Sequence, residues 1–205
     1  MMEQNMDIVH FRHCSPNNIF CFKRDDFKTC PICHEYVMSY LQQPVVVPYP
    51  YRNAAHEPTT VVIRPANGSF LTHYKATDDL HIGIVNSGGI VFEFDRQGLK
   101  INDHSKWKEC IPYKLVPSSW DDHWDETLKS MLEDNKWNSA YYNEASMNCF
   151  NFVLEFINNL KYPDVSYNNK EELCEQLLLK KIQVAQRYNY LHGEISRGRH
   201  YFSCK

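Results

Sequence analysis

Cys149 lies in the run Ser146-Met147-Asn148-Cys149-Phe150. A cap at Asn148 or Ser146 puts this cysteine in the first turn of a helix, where the helix dipole favours a thiolate. A thiolate nucleophile also needs a base to take its proton. His81 is a candidate base, in Asp79-Leu80-His81-Ile82-Gly83-Ile84-Val85, near the start of a strand. Alternation puts its side chain on the face shared with Gly83 and Val85, and Gly83 leaves room beside the imidazole. An orienting third group could come from Glu93 or Asp95 on the partner strand, or from His104 beyond it. The plain structural reading makes Cys149 a core residue at a helix end and His81 a half-buried sheet histidine.

A second chemistry sits near the N-terminus. Cys30-Pro31-Ile32-Cys33 is a CxxC knuckle, and two thiolates at that spacing can close around one tetrahedral zinc. Cys14, with His13 or His10, lies one hairpin upstream, and Cys21 and His34 are further ligand candidates. The expected set is Cys14, Cys30, Cys33 and His13, holding a structural zinc in a ribbon-like module. The competing reading treats these cysteines as compact hydrophobes of a small reduced core. A metal would matter because residues 7–41 are too few to hold a core unaided.

The elements that must position these groups follow from periodicity. Ile8 to Phe11 and Ile19 to Phe22 read as short strands around a Ser-Pro-Asn-Asn turn, and Cys33 to Leu41 as a short helix. Residues 42–59 carry Pro44, Pro48, Pro50 and Pro58 and read as an irregular connector. Thr60 to Arg64, Leu80 to Val85 and Ile90 to Asp95 read as strands, the last two joined by an Asn86-Ser87-Gly88-Gly89 hairpin turn. Cys110 to Val116 is a further strand, pushed to an edge by Pro112. Helices are predicted from Trp120 to Asp134 with Ser119 as cap, from about Cys149 to Leu160, and from Lys170 towards Leu191 with Asn169 as cap. Strands first and helices second predict an α+β fold, an antiparallel sheet packed on helices. The expected organisation is a Cys/His-rich module over 7–41, a connector over 42–59 and an α+β domain over 60–205.

Other features carry weaker chemistry. Arg64 could hold a carboxylate or phosphate, although a structural pair is the simpler role. Trp120, Trp124, Trp137, Tyr141 and Tyr142 could line a groove, but aromatics at helical spacing usually build a core. Walker A, GxGxxG and HExxH motifs are absent.

Composition bounds the rest. The 205 residues are 43% hydrophobic and 23% charged, enough for a real core, and the net charge of -3 offers no field for nucleic acid. Met1 to Phe11 does not read as a signal peptide, and no apolar run reaches the ~20 residues of a membrane span. The expectation is a cytoplasmic or nuclear protein whose eight cysteines stay mostly reduced.

Two resemblances extend these readings. A His-x-Gly strand, a glycine turn, a second strand and a later Asn-Cys-x-x-Phe helix resemble the circularly permuted papain-like proteins. That group includes relatives of the NlpC/P60 peptidases, lecithin retinol acyltransferase and the PPPDE peptidases. The resemblance covers roughly residues 60 to 160 and implies a Cys149 nucleophile with a His81 base. Over nearly the whole chain the sequence is similar to the makorin-2 opposite-strand protein family. Phe11-Arg12-His13-Cys14, Cys30-Pro31-Ile32-Cys33, Ile63 to Leu71, Asp79 to Ile84, Gly88-Gly89-Ile90-Val91 and Asn148-Cys149 carry that similarity. It implies kinship without implying a reaction. With no complete triad in the plain sequence, the expected function is a non-enzymatic interaction protein on a papain-like scaffold, with a protein partner. The alternative is a cysteine-dependent hydrolase or acyltransferase.

Overall fold

The computed structural model describes residues 7–14, 16–23, 28–37, 43–101, 105–199 and 201–204. It is an α+β fold of antiparallel sheets and helices. Two compact units divide the chain, one made of residues 1–50 with 184–205, the other of residues 51–183.

The first unit is built on a four-stranded antiparallel sheet in the order β3-β1-β2-β9. Its strands are β1 (Ile8–Phe11), β2 (Asn18–Phe22), β3 (Val45–Val47) and β9 (Tyr201–Cys204). Val45–Val47 pairs with Ile8 to His10 despite the prolines on either side. Pro44 and Pro48 fall just outside the three paired residues, where a missing N–H takes nothing from the ladder. Val9, Phe11, Ile19, Cys21, Cys30 and Val37 form a small core under the sheet. The helix expected over Cys33 to Leu41 is corrected over residues 33–37, where Cys33 ends a turn and Tyr36 bridges Thr29; residues 38–41 lie outside those described.

The second unit holds a five-stranded antiparallel sheet, ordered β7-β6-β5-β4-β8. The strands are β4 (Thr60–Pro65), β5 (Leu80–Val85), β6 (Val91–Asp95), β7 (Gly98–Ile101) and β8 (Ile111–Tyr113). Pro112 sits on the edge strand, as its missing donor requires. The turn between β5 and β6 closes through Asn86, whose N–H donates to the Ile90 carbonyl at 3.0 Å. Gly89 has φ +77, and a Cβ there would lie 2.6 Å from the Ala55 carbonyl oxygen. Glycine is therefore required on both counts.

Helix α1 (Asp121–Leu132) follows a 3-10 turn over Ser118–Trp120. Its N-cap is Trp120, with no side-chain cap bond. The expected Ser119 cap is therefore corrected, because Ser119 lies inside the preceding turn. Helix α2 (Cys149–Leu160) buries Cys149, Phe152, Val153, Phe156, Ile157 and Leu160. Each large apolar side chain of that stripe contributes about 1.5–3 kcal/mol of transfer free energy, which holds the helix in place. Phe156 meets Trp124 of α1 edge to face, with centroids 4.6 Å apart, and Phe152 lies against Trp137 at 5.0 Å. The Trp124 indole N–H donates to the Val85 carbonyl at 3.0 Å, so α1 is tied to the end of β5.

The last helical stretch starts where Asn169 accepts from the Glu172 N–H. It runs through α3 (Lys170–Leu173), a π-helical segment (Cys174–Leu178) and α4 (Leu179–Glu194). A Gly98 turn adds β7 beside β6, a strand that its sequence pattern does not announce. No helix among the described residues is long and apolar enough to cross a membrane.

Candidate functional site

The second unit brings together Cys149, His81 and Glu93. Asn148 is the N-cap of α2, accepting from the N–H groups of Phe150 and Asn151, while the Asn151 side chain accepts from the Asn148 N–H. This reciprocal cap fixes Cys149 as the first residue of the helix. Its thiol lies beside the His81 ring and lines the same cavity. The cap occupies the next two N–H groups, which leaves the Cys149 N–H as the helix-start donor outside it.

His81 enters from β5. Its Nε2 stands 2.7 Å from Glu93 Oε2, and the Glu93 side chain is 2% exposed. With Nε2 turned to the carboxylate, Nδ1 is the ring nitrogen left for the thiol. Glu93 comes from β6, where it is registered against Gly83. Of the expected third groups, Glu93 takes the position. Asp95 instead pairs with Lys100 at 2.6 Å and accepts from the Gln97 N–H, and His104 lies outside the described residues.

Two further side chains surround the carboxylate. Arg64, registered opposite His81 on β4, places Nη2 3.3 Å from Glu93 Oε2. Its Nη1 donates to the carbonyls of Pro65 and Ala66 at 2.9 and 3.3 Å. Its guanidinium lies over Trp107, with 4.9 Å from Cζ to the ring centroid. Trp107 is fully buried beneath that guanidinium. Arg64 Nε, His81 Nε2, Trp107 Nε1 and Glu93 Oε1 are buried without a hydrogen-bond partner among the described residues, so His81 and Glu93 meet as a close ion pair.

The electrostatics follow from burial and these partners. Burial alone would pull the His81 pKa down, but Cys149 and Glu93 beside the ring outweigh it and raise it to about 9. Burial pushes the Glu93 carboxyl up, and the close His81 together with the Arg64 charge holds it below its ordinary value. By contrast, burial and the nearby Glu57 and Glu109 push the Cys110 thiol up to about 12. Cys110 donates to the Arg52 carbonyl at 3.2 Å, so it is an inert core thiol.

Cys149 and His81 open onto a cavity of about 830 Å³. Asp79, Asp95, Arg96, Lys100, Tyr142 and Glu144 are among its walls. Arg96 is paired with Glu144 across it. Of the aromatics considered for a groove, Tyr142 lines this cavity, Trp124 and Trp137 are core, and Tyr141 is 60% exposed.

In the first unit, His13, Cys14, Cys30 and Cys33 present their ligand atoms within 4.8 Å of one another, an arrangement that could hold a metal ion. Cys14 Sγ is 3.8 Å from Cys30 Sγ, and Cys33 Sγ is 3.2 Å from His13 Nδ1. A tetrahedral ion with Zn–S bonds of ~2.3 Å needs sulfurs about 3.8 Å apart, so the sulfur pair fits. The knuckle turn is set by the Ile32 N–H on Cys30 Sγ at 3.4 Å and the His34 N–H on the Cys30 carbonyl at 2.9 Å. Of the other ligand candidates, His10 stacks on Phe20 and Cys21 is in the core. Neither these two nor His34 belongs to the cluster.

Trp107 carries no signal of its own in the sequence, and Arg64 names no partner there. The signal available for both is Gly83. A residue with no side chain beside the candidate base marks where other side chains converge.

Taken together, the second unit is an antiparallel sheet against which a helix presents a capped cysteine to a histidine and a buried carboxylate. The family model described as DUF4796 C-terminal matches residues 44–195. The chain belongs to this family, and the makorin-2 opposite-strand kinship carried by its motifs stands. The human protein called MKRN2 opposite strand protein is similar to it, 27% identical over 199 residues that cover 94% of this chain and 87% of that protein. No solved structure matches the chain.

Proposed function

We propose that the protein is a thiol-dependent hydrolase or acyltransferase, with Cys149 as nucleophile, His81 as base and Glu93 as the group that orients the imidazole. One observation carries this reading: the capped Cys149 lines one cavity with a histidine whose Nε2 stands 2.7 Å from a buried carboxylate. It takes the place of the interaction-protein reading, which rested on the missing third group. The order of a histidine strand before a cysteine helix agrees with a circularly permuted papain-like arrangement, which we propose for the part of the expected 60–205 domain that lies in the second unit, residues 60–183.

In the proposed reaction the thiolate adds to an acyl carbonyl while His81 holds the thiol proton. The Cys149 N–H meets the developing oxyanion. The intermediate collapses as the leaving group takes the proton from His81, leaving a thioester. His81 then removes a proton from water or another acceptor, which attacks the thioester and frees Cys149. The charged walls favour a polar, peptide-like acyl donor over a fatty acyl chain.

A cysteine-directed electrophile tests this on the whole protein. Wild type should take up one label at Cys149, and Cys149→Ala should lose it with its fold intact. Cys149 reacting no faster than the exposed Cys14 would sink the reading.

For the first unit we infer a structural zinc held by His13, Cys14, Cys30 and Cys33, supported by the sulfur spacing and the knuckle turn. The zinc would cross-link a segment too small to hold a core, and the module would serve to dock a protein partner. Seven cysteines of the described residues stand outside any disulfide, which suits the reducing cytoplasm or nucleus proposed for the chain.

A further inference from the structure

Glu93 has more packed against it than a partner for His81 requires. A carboxylate 2% exposed is pressed by burial towards its neutral form. If His81 were its one cation, Glu93 would face that pressure alone each time the imidazolium gave up its proton during turnover. Arg64 is a cation in every state, since a guanidinium does not deprotonate in proteins. Its Nη2 reaches the same Oε2 that His81 faces. Its Nη1 is tied to two carbonyls of its own strand end, and its plane rests on Trp107. The lack of a side chain at Gly83 leaves this face open, because a Cβ there would lie 3.1 Å from Trp107.

We propose that Arg64 and Trp107 are positioning residues for the Cys149 site, holding Glu93 as a fixed anion so that His81 keeps one orientation. This rests on the reading of Cys149 as a nucleophile. The charges then sum to zero when Cys149 is a thiolate: Arg64 and His81 positive, Glu93 and Cys149 negative. The groups facing the cluster are Arg64 from β4, Glu93 from β6, Trp107 from the segment before β8 and Cys149 from α2. Tyr142 and Cys174 are also near enough to feel the charge of Cys149.

The test is the rate of Cys149 carboxymethylation by iodoacetate against pH, read at that residue by mass spectrometry. Wild type should give a bell, rising as the thiol proton leaves and falling as His81 loses its own. In Arg64→Gln both limbs should move to higher pH by about one unit, because every proton in the cluster becomes harder to lose without the fixed cation. A displacement of about one unit is a tenfold loss on the rising limb. Neutral iodoacetamide should show the same shift of the rising limb, which separates the cluster's charge from attraction of the reagent. Arg64→Lys and Trp107→Phe should lower the bell without moving it. Glu93→Gln should move both limbs to lower pH, and keeps the test alive if Arg64→Gln fails to fold. Limbs that stay in place in Arg64→Gln or Glu93→Gln overturn the proposal. A wild-type Cys149 with no bell, reacting like Cys174, overturns the nucleophile reading instead.

Discussion

His81 and Glu93 meet at 2.7 Å although they are not paired across the sheet. Glu93 is registered against Gly83, two residues along β5 from His81. Diagonal neighbours on an antiparallel sheet are about 7–8 Å apart at Cα, within reach of a long side chain. The contact therefore uses the full length of a glutamate. It also uses the bare position opposite, since Gly83 puts nothing between the two groups.

His81 itself should titrate unusually high. Burial works against its charge, and Cys149 and Glu93 lift its pKa to about 9, against ~6.5 in the unfolded chain. A raised folded value stabilises the protein fully below about pH 6.5, and that contribution fades as pH rises through about 9. Urea unfolding should show stability declining across that window in wild type and flatter in His81→Asn. A ring titration by NMR should find His81 near 9, and lower in Cys149→Ala, where one of its two supporting partners is gone. A wild-type His81 titrating near 6.5 would contradict the assembled site.

Gly83→Ala should damage the site and the fold together. The added methyl would lie 3.0 Å from the Phe92 carbonyl oxygen and 3.1 Å from the buried Trp107 ring. Overpacking of this kind costs about 1–3 kcal/mol. The displaced Trp107 would also shift the Arg64 guanidinium that rests on it. Thermal unfolding should show the loss of stability, and labelling of Cys149 should slow further than stability alone explains. Ile82→Val on the same strand gives the control, losing packing without entering the cluster.

Much of this architecture is legible in the amino-acid sequence. The stripe from Cys149 to Leu160 marks α2 because apolar residues recur at helical spacing, and Pro112 puts its strand at an edge because it lacks a donor. Strands β3, β7 and β9 are not legible. Each is three or four residues long and owes its existence to a partner strand rather than to its own pattern. Two of them join one sheet from distant parts of the chain, which local periodicity cannot register. At the site, Cys149 and His81 are visible from residue type and position. Glu93 is one of three candidates, because sequence separates Glu93 from Asp95 only through where each side chain ends.

Removal of zinc should affect the first unit alone. One zinc per chain is expected in the purified protein. Cys30→Ser should lose it, because that buried sulfur stands 3.8 Å from Cys14 Sγ and completes the ligand set. Chelation should erase amide protection over residues 8–22 and 28–37 while leaving residues 60–113 protected. Metal content far below one per chain, or full retention in Cys30→Ser, would remove the zinc assignment and leave a small reduced core.

Asn148 separates holding the helix from supporting the thiol. Its side chain accepts from Phe150 and Asn151 and donates to the Glu144 carbonyl at 2.6 Å. Asn148→Ala should therefore cost about 1 kcal/mol, lowering Tm by roughly 2–4 °C, and slow labelling of Cys149 as the first turn frays. Asn148→Ser restores a neutral cap and should recover most of both. Asn148→Asp caps as well as asparagine but sets an anion beside the sulfur. It should keep the cap but lose the bond to the Glu144 carbonyl, so its Tm should match that of Asn148→Ser at best while labelling at neutral pH falls below it, since a negative neighbour disfavours the thiolate. If Asn148→Asp labels as fast as wild type, the first turn of α2 does not govern the reactivity of Cys149, and the helix start has no part in activating it.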